Sequence, residues 1–231
     1  MTNQEGMTNQ EGMTNREEEL TLALSRIEGE IASYKPELIV VTKTYPISDV
    51  EILYNLGIRN FGENRNEEGL EKSGQISARW HYQGEIQSKK LRSIASWAQV
   101  IHSLDSFDHV SKLNRILEES GSKVELFLQL SLDGDPQRGG ATESEVISLA
   151  QSVSEMGHIT LLGIMCVPPA DAPPHQAFSE IAQFHKRFLS LFPQSPYLSA
   201  GMSGDYMVAL EHGATHIRVG SKILGQRQYD Q

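Results

Sequence analysis

Residues 197–221 read YLSAGMSGDYMVALEHGATHIRVGS. The apolar run Tyr197–Ser199 predicts a strand, Asp205–His212 has helical spacing, and His216–Val219 predicts a second strand. Gly201, Ser203 and Gly204 make a small-residue turn after the first strand, and Gly220 and Ser221 follow the second. This is a strand–helix–strand unit, the building block of a parallel sheet.

The unit recurs toward the N-terminus. Strands are predicted at Leu38–Thr42, Ile58–Phe61, Trp80–Gln83, Val100–Ser103, Val124–Leu130 and Leu161–Met165, most of them apolar enough for burial on both faces. Helices are predicted at Asp49–Leu56, Asn64–Lys72, Gln87–Trp97, Phe107–Glu119, Glu143–Met156 and Pro174–Leu191. Eight strands alternating with helices are the number that closes a (β/α)8 barrel, so the fold class is read as α/β, a single compact TIM barrel, with an open doubly wound sheet as the alternative. Leu20, Leu24, Ile27 and Ile31 add an N-terminal helix. Before it, Met1–Gly6 repeats as residues 7–12 and, altered, as 13–18. Six-residue copies without an apolar face build no solenoid. Residues 1–14 are therefore expected to be a disordered tail and 15–231 one barrel domain.

Composition narrows the partners. Thirty acidic against 20 basic residues leave a net charge of −10 over 231 residues. That balance disfavours nucleic acids and anionic membranes, which need clustered positive charge. No apolar run approaches the ~20 residues of a membrane helix. The N-terminus has no secretory pattern, and a single cysteine, Cys166, suits a reducing compartment, so a cytoplasmic protein is expected. The acidic surface and the absence of an evident apolar patch make a monomer the expectation.

In such a barrel, chemistry belongs at the C-terminal ends of the strands. Lys43 directly follows the run Leu38–Val41; partly desolvated there, its amine can attack an aldehyde. Gly62, Glu63 and Asn64 follow the second strand, and turn formation with helix capping explains them. His81 shares a strand face with Gln83, either lining a pocket or sitting satisfied in the core. Ser203, Gly220 and Ser221 lie after strands seven and eight, where many barrels cradle a phosphate with backbone amides and hydroxyls. Arg218 lies inside strand eight between Ile217 and Val219, a costly position for a permanent charge unless it is partnered. An amine for an aldehyde, a cradle for a phosphate and a cation for a ring nitrogen point to pyridoxal 5′-phosphate.

Leu38–Pro46, Phe61–Asn64, Trp80-His81, Gln87 with Lys90, Gly163–Met165, Ser199–Asp205 and Arg218–Gly225 occur in the order, and with the residue types, of a known family. Over roughly residues 20–227 the chain resembles the pyridoxal phosphate homeostasis proteins. The resemblance implies a fold-type III barrel like the barrel domain of alanine racemase. It also implies that Lys43 forms the internal aldimine, that Ser203, Gly220 and Ser221 hold the phosphate, and that Arg218 faces the pyridine nitrogen. Asn64 and His81 match pocket-lining positions. The chain departs from the family at Tyr45, where many members have lysine, and at Arg65, where many have tyrosine. Lys89 replaces a common asparagine and Ser221 a common threonine.

Other signals carry less. The Asp133–Gly140 stretch begins like a calcium loop but lacks further acidic ligands and the closing glutamate; Arg138 to Gly140 is expected to border the pocket. Lys89, Lys90 and Arg92 read as a solvated helix face, and Cys166 as a buried small hydrophobe. Three functions remain open. The first is a carrier that holds pyridoxal phosphate on Lys43 and passes it to apo-enzymes that depend on it. The second is an amino-acid racemase or related enzyme, for which no second base is evident and a further domain is not expected. The third is a cofactor-free sugar-phosphate enzyme.

Overall fold

A computed structural model describes residues 15–135 and 138–226. The repeat at 1–14 lies outside the described residues. The chain runs α1 (Asn15–Ile31), β1 (Glu37–Val41), α2 (Ile47–Asn55), β2 (Asn60–Glu63), α3 (Asn66–Gln75), β3 (Arg79–Tyr82), α4 (Leu91–Trp97) and β4 (Val100–Leu104). It continues through α5 (Phe107–Ser120), β5 (Val124–Leu130), α6 (Glu143–Ser154), β6 (Ile159–Cys166), α7 (Pro174–Leu191), β7 (Tyr197–Met202), α8 (Tyr206–Glu211), β8 (His216–Val219) and α9 (Ser221–Leu224).

The strands pair in parallel in chain order and close into a barrel, β8 returning to β1 with Leu38 opposite Ile217 and Ile39 opposite Arg218. That pairing replaces the open-sheet alternative. Each predicted strand and helix is present, Val124–Leu130 and Pro174–Leu191 with the expected ends and the others with shifted ends. The helix expected from Gln87 begins at Leu91, and the one expected from Asn64 begins at Asn66. The short α9 was not expected.

The outward strand face and the apolar helix stripes make the main core. Val40, Phe61, Trp80, Ile101, Leu126 and Leu128 are buried with Val110, Leu113 and Leu117 of α5 and Phe178, Phe184 and Phe188 of α7. Local signals start and stop these helices. The Ser106 hydroxyl accepts the His109 N–H at α5, Gly121 ends that helix at φ 67°, and Thr142 and Glu145 form a reciprocal capping box at α6.

The inward face is different. Barrel interiors of this type are dominated by branched aliphatic residues. Here Phe127 and Met165 are joined by buried His81, His102, Ser199, His216 and Arg218. His102 stacks on Phe127 with ring centres 4.6 Å apart, and the edge of Phe127 meets His216 at 5.1 Å. Polar side chains therefore occupy the axis of the barrel, beneath its C-terminal mouth.

One glycine is demanded by strand approach. The β5–β6 register shifts between Leu126 and Phe127, so that Leu126 faces Leu161 but Phe127 faces Gly163. At Gly163 an added Cβ would lie 1.8 Å from the Tyr197 carbonyl oxygen, inside the β6–β7 contact. Gly163→Ala is expected to destabilise the barrel by ~3 kcal/mol or more, the upper range for forced overpacking. Gly57→Ala, at φ +105° but with nothing within 4 Å of its added Cβ, should cost only about 1 kcal/mol of backbone strain. Urea unfolding of both variants checks the order; equal losses would refute the close-contact explanation.

Candidate functional site

A cavity of about 310 Å³ opens at the C-terminal ends of β1, β7 and β8. Its wall holds six of the seven residues singled out from sequence: Lys43, Asn64, Ser203, Arg218, Gly220 and Ser221. Val41, Tyr45, Gln83, Met165, Val167, Met202 and Gly204 complete it. His81 does not line it. That side chain is 1% exposed in the barrel interior, its nitrogens engaged by His102 at 2.9 Å and Asn60 at 3.0 Å. Of the two readings of His81, the satisfied core histidine is the one observed, because its strand position lies below the cavity floor.

Lys43 is half-buried in the turn leaving β1, and the turn is clamped on both sides. Before it, the Thr42 hydroxyl donates to Glu63 Oε1 at 2.6 Å, and Lys72 Nζ donates to the Thr42 carbonyl at 2.7 Å. Lys72 also meets Glu63 Oε1 at 2.6 Å, with both side chains buried. After it, Thr44 takes the left-handed conformation at φ 68° and donates its N–H to Glu68 Oε2 at 2.7 Å. A threonine in that region is strained, and the surrounding contacts hold it there.

The capping explanation for Glu63 and Asn64 is thus corrected. Arg65 is the N-cap of α3 and makes no side-chain cap bond, while Glu63 is still in β2. Its Oε1 is engaged by Thr42 and Lys72 because β2 lies beside β1, while its buried Oε2 has no hydrogen-bond partner among the described residues. Burial raises the Glu63 carboxyl above its usual range, against the opposing pull of the Lys72 ammonium and the Thr42 hydroxyl. Sequence reasoning missed Lys72. Its i,i+4 spacing from Glu68 is the available signal, and it resembles an ordinary surface pair.

The opposite wall is made by two small-residue loops. The Gly220 N–H donates to Ser203 Oγ at 3.2 Å, tying the loop after β7 to the one after β8. A Cβ on Gly220 would sit 3.0 Å from the Val41 carbonyl oxygen, so only glycine lets the loop approach β1 this closely. Tyr45 reaches across the rim, its hydroxyl donating to the Gly225 carbonyl at 2.6 Å.

Arg218 forms part of the wall and is 4% exposed. Nη1 donates to the Ser199 carbonyl at 3.0 Å and to Ser199 Oγ at 2.9 Å; Nη2 donates to the Cys166 carbonyl at 3.2 Å. Burial pulls its pKa down to about 10, which still leaves it charged at neutral pH. Cys166 is itself buried, and that burial pushes its thiol up to about 12, so it contributes a carbonyl and no nucleophile. Two other buried atoms of cavity-lining residues, Asn64 Oδ1 and Gln83 Nε2, have no hydrogen-bond partner among the described residues. A half-cationic, partly unsatisfied wall of this kind suits a small ligand rich in acceptors, with one group that bonds to amide nitrogen and one that bonds to amide oxygen.

The loop expected to border this pocket instead borders, through Arg138 and Gly139, a neighbouring cavity of about 540 Å³ that shares Gln83, Met165 and Val167 with it. The basic patch is neutralised at Lys90 by Glu67 and at Arg92 by Glu119. Among the described residues, no helix is long and apolar enough to cross a membrane.

A parallel eight-stranded barrel with its cavity between the loops after β1, β7 and β8 defines a class. Residues 22–228 match the family described as alanine racemase, N-terminal domain. The chain belongs to that family and, within it, to the pyridoxal phosphate homeostasis proteins. A protein of that name from Corynebacterium glutamicum is 40% identical over 211 residues, covering 88% of this chain and 93% of the relative. One from Vibrio alginolyticus is 31% identical, covering 84% and 87%. PipY of Synechococcus elongatus, solved with pyridoxal phosphate bound, superposes with a TM-score of 0.82 at 29% identity, covering 89% of this chain and all of that one. An alanine racemase from Clostridium difficile shares the fold at a TM-score of 0.77 and 16% identity.

The clamp around Lys43 makes a measurable claim. Lys72→Met leaves the Glu63 carboxylate buried without its cation and should destabilise the protein by about 3–5 kcal/mol at pH 8. A carboxyl whose folded pKa is raised penalises the fold above that pKa, and the penalty fades as it takes up a proton. The deficit of the variant should therefore shrink between pH 8 and pH 5 and be largely relieved in Lys72→Met/Glu63→Gln. Urea unfolding at the two pH values checks this; a pH-independent deficit would locate the lost interaction elsewhere.

Proposed function

We propose that this chain binds pyridoxal 5′-phosphate on Lys43 and takes part in its homeostasis inside the cell, as a carrier and not as an enzyme. One observation carries the reading: a single cavity brings together the Lys43 amine, the small loops at Ser203, Gly204, Gly220 and Ser221, and the buried charge of Arg218. The properties of the relatives support it, since they are named for homeostasis of this cofactor and PipY was solved with it bound.

When bound, pyridoxal phosphate supplies an aldehyde that a lysine amine captures reversibly as a Schiff base, with loss of water. The residues then divide the work. The clamped turn holds the Lys43 amine at the cavity wall. The hydroxyls of Ser203 and Ser221 and the amide of Gly204 would hold phosphate oxygens, with the Gly220 amide, which donates to Ser203 Oγ, fixing that hydroxyl in place. Arg218, which can only donate, would hold a ring nitrogen in its unprotonated form, and so weaken the ring as an electron sink. Asn64 and Gln83 offer their unpartnered atoms to the polar edge of the ring. His81 acts at one remove, through His102.

The same geometry favours carriage over catalysis. Racemisation needs a proton acceptor on each face of the substrate. The ionisable side chains lining the cavity are Lys43, Tyr45 and Arg218. Arg218 does not release its proton at neutral pH, and the Tyr45 hydroxyl is directed at Gly225. Recipients of the cofactor would be apo-enzymes that depend on it.

The test is reductive trapping. The purified protein with added pyridoxal phosphate should show imine absorbance, and borohydride followed by peptide mapping should place the modification on Lys43. Lys43→Ala should lose the absorbance, and Ser203→Ala should weaken binding about tenfold, as for a hydrogen bond to a charged group. Modification at another lysine, or absorbance that survives Lys43→Ala, would overturn the assignment. Sustained turnover of an amino acid, abolished by Lys43→Ala, would replace the carrier with an enzyme.

A further inference from the structure

A file of hydrogen bonds runs down the barrel axis from Arg218. Arg218 Nη1 lies 2.9 Å from Ser199 Oγ, which lies 2.9 Å from His102 Nδ1. His102 Nε2 lies 2.9 Å from His81 Nδ1, and His81 Nε2 lies 3.0 Å from Asn60 Oδ1. Asn60 Nδ2 donates to Glu37 at the N-terminal rim of the barrel.

The two ends dictate every proton between them. The Glu37 carboxylate only accepts, so Asn60 presents its NH₂ to Glu37 and its oxygen to His81. His81 must then carry its proton on Nε2, and as a neutral ring it accepts at Nδ1. The same logic places the proton of His102 on Nε2 and makes its Nδ1 accept from the Ser199 hydroxyl. Ser199 Oγ is left to accept from Arg218, which only donates. All donors point one way, from the cavity to the far rim. Neutral rings keep this order: a second proton on His81 would set its Nδ1–H against the His102 Nε2–H, and one on His102 would take away the acceptor of the Ser199 hydroxyl. Burial supplies this neutrality, lowering both imidazoles well below their ordinary pKa.

Two features set this file apart from structural filler. Replacing a buried polar network by apolar groups of similar shape is often neutral or stabilising, and this type of barrel ordinarily has an aliphatic interior. In addition, the hydrogen-bond partners of Arg218 are all neutral oxygens, and among the described residues it forms no ion pair, the Asp205 carboxylate acting on it only through space. A carboxylate partner would have cancelled its field. A chain of neutral acceptors satisfies the N–H groups and leaves the positive charge for the cavity.

We infer that Ser199, His102, His81 and Asn60 form a one-way hydrogen-bond chain that fixes the guanidinium of Arg218 at the cavity wall without neutralising it. Ser199 and His102 are positioning residues that act through Arg218. The consequence for a bound cofactor rests on the function proposed above; the chain itself does not.

The experiment uses the full-length protein in two states. Without ligand, ¹⁵N-histidine NMR should show His81 and His102 as neutral Nε2–H tautomers at pH 7. The Arg218 Nη–H resonances, assigned by their loss in Arg218→Lys, should lose exchange protection about tenfold or more in Ser199→Ala and His102→Phe and keep it in Ser199→Thr, as for removal of a net hydrogen bond at Nη1. With pyridoxal phosphate added, the same two variants should shift the imine absorbance and its pH profile, with Ser199→Thr restoring both. Unchanged Arg218 protection in Ser199→Ala and His102→Phe, or Nδ1–H tautomers, would overturn the chain whatever the colour of the protein. Intact chain behaviour in a protein that never develops imine absorbance would reject the cofactor reading and leave the chain standing.

Discussion

A guanidinium that keeps its proton has been enclosed in the barrel, and much of the interior answers to that fact. An ion moved out of water loses several kcal/mol of hydration, which nearby acceptors must offset. For Arg218 the acceptors are two main-chain carbonyls and a hydroxyl on β6 and β7. The register of β7 against β8 shifts between Ser199 and Met202, where Gly201 adopts φ +93°. A regular strand with an aliphatic residue at 199 would leave the charge without its hydroxyl.

The other wall is governed by a second buried charge pair, and the two are handled differently. Glu63 and Lys72 neutralise each other beneath the turn that carries Lys43. Arg218 is hydrogen-bonded only by neutral dipoles, with the Asp205 charge acting through space. The pocket thus has one wall where charge is cancelled and the backbone is held, and another where charge is kept. Both arrangements rest on strands and, for Lys72, on α3, with the loops adding small residues and hydroxyls, so the polar groups are positioned by the regular elements of the fold.

How much of this was legible can be followed residue by residue. Lys43, Ser203, Gly220 and Ser221 could be found because they fall at strand ends, a position that alternating apolar runs reveal. Arg218 could be found because a charge inside an apolar strand is anomalous. Glu63 was misread, since an acidic residue before a helix looks like a cap until β1 is seen beside it. His81 was read correctly only as one of two alternatives: period-two alternation says which face it occupies, and not whether that face meets a cavity or a partner. Ser199 entered only as the first residue of a family motif, and His102 carried no signal. They touch across 97 residues of chain, from two strands that otherwise read as ordinary apolar sequence.

Local pattern is therefore what the sequence by itself determined: eight strands, their helices, the N-terminal helix and the residues standing at the mouth. These follow from periodicity and from turn chemistry, which act within a few residues. Tertiary structure alone decided that β8 closes onto β1, that Lys72 lies under Thr42, and that one hydrogen-bonded file crosses the interior from Arg218 to Glu37. Those contacts join strands far apart in the chain, and their partners are set by the register of a closed barrel. Inside that enclosure, with water excluded, each polar group must find its donor or acceptor among whichever side chains closure has brought near.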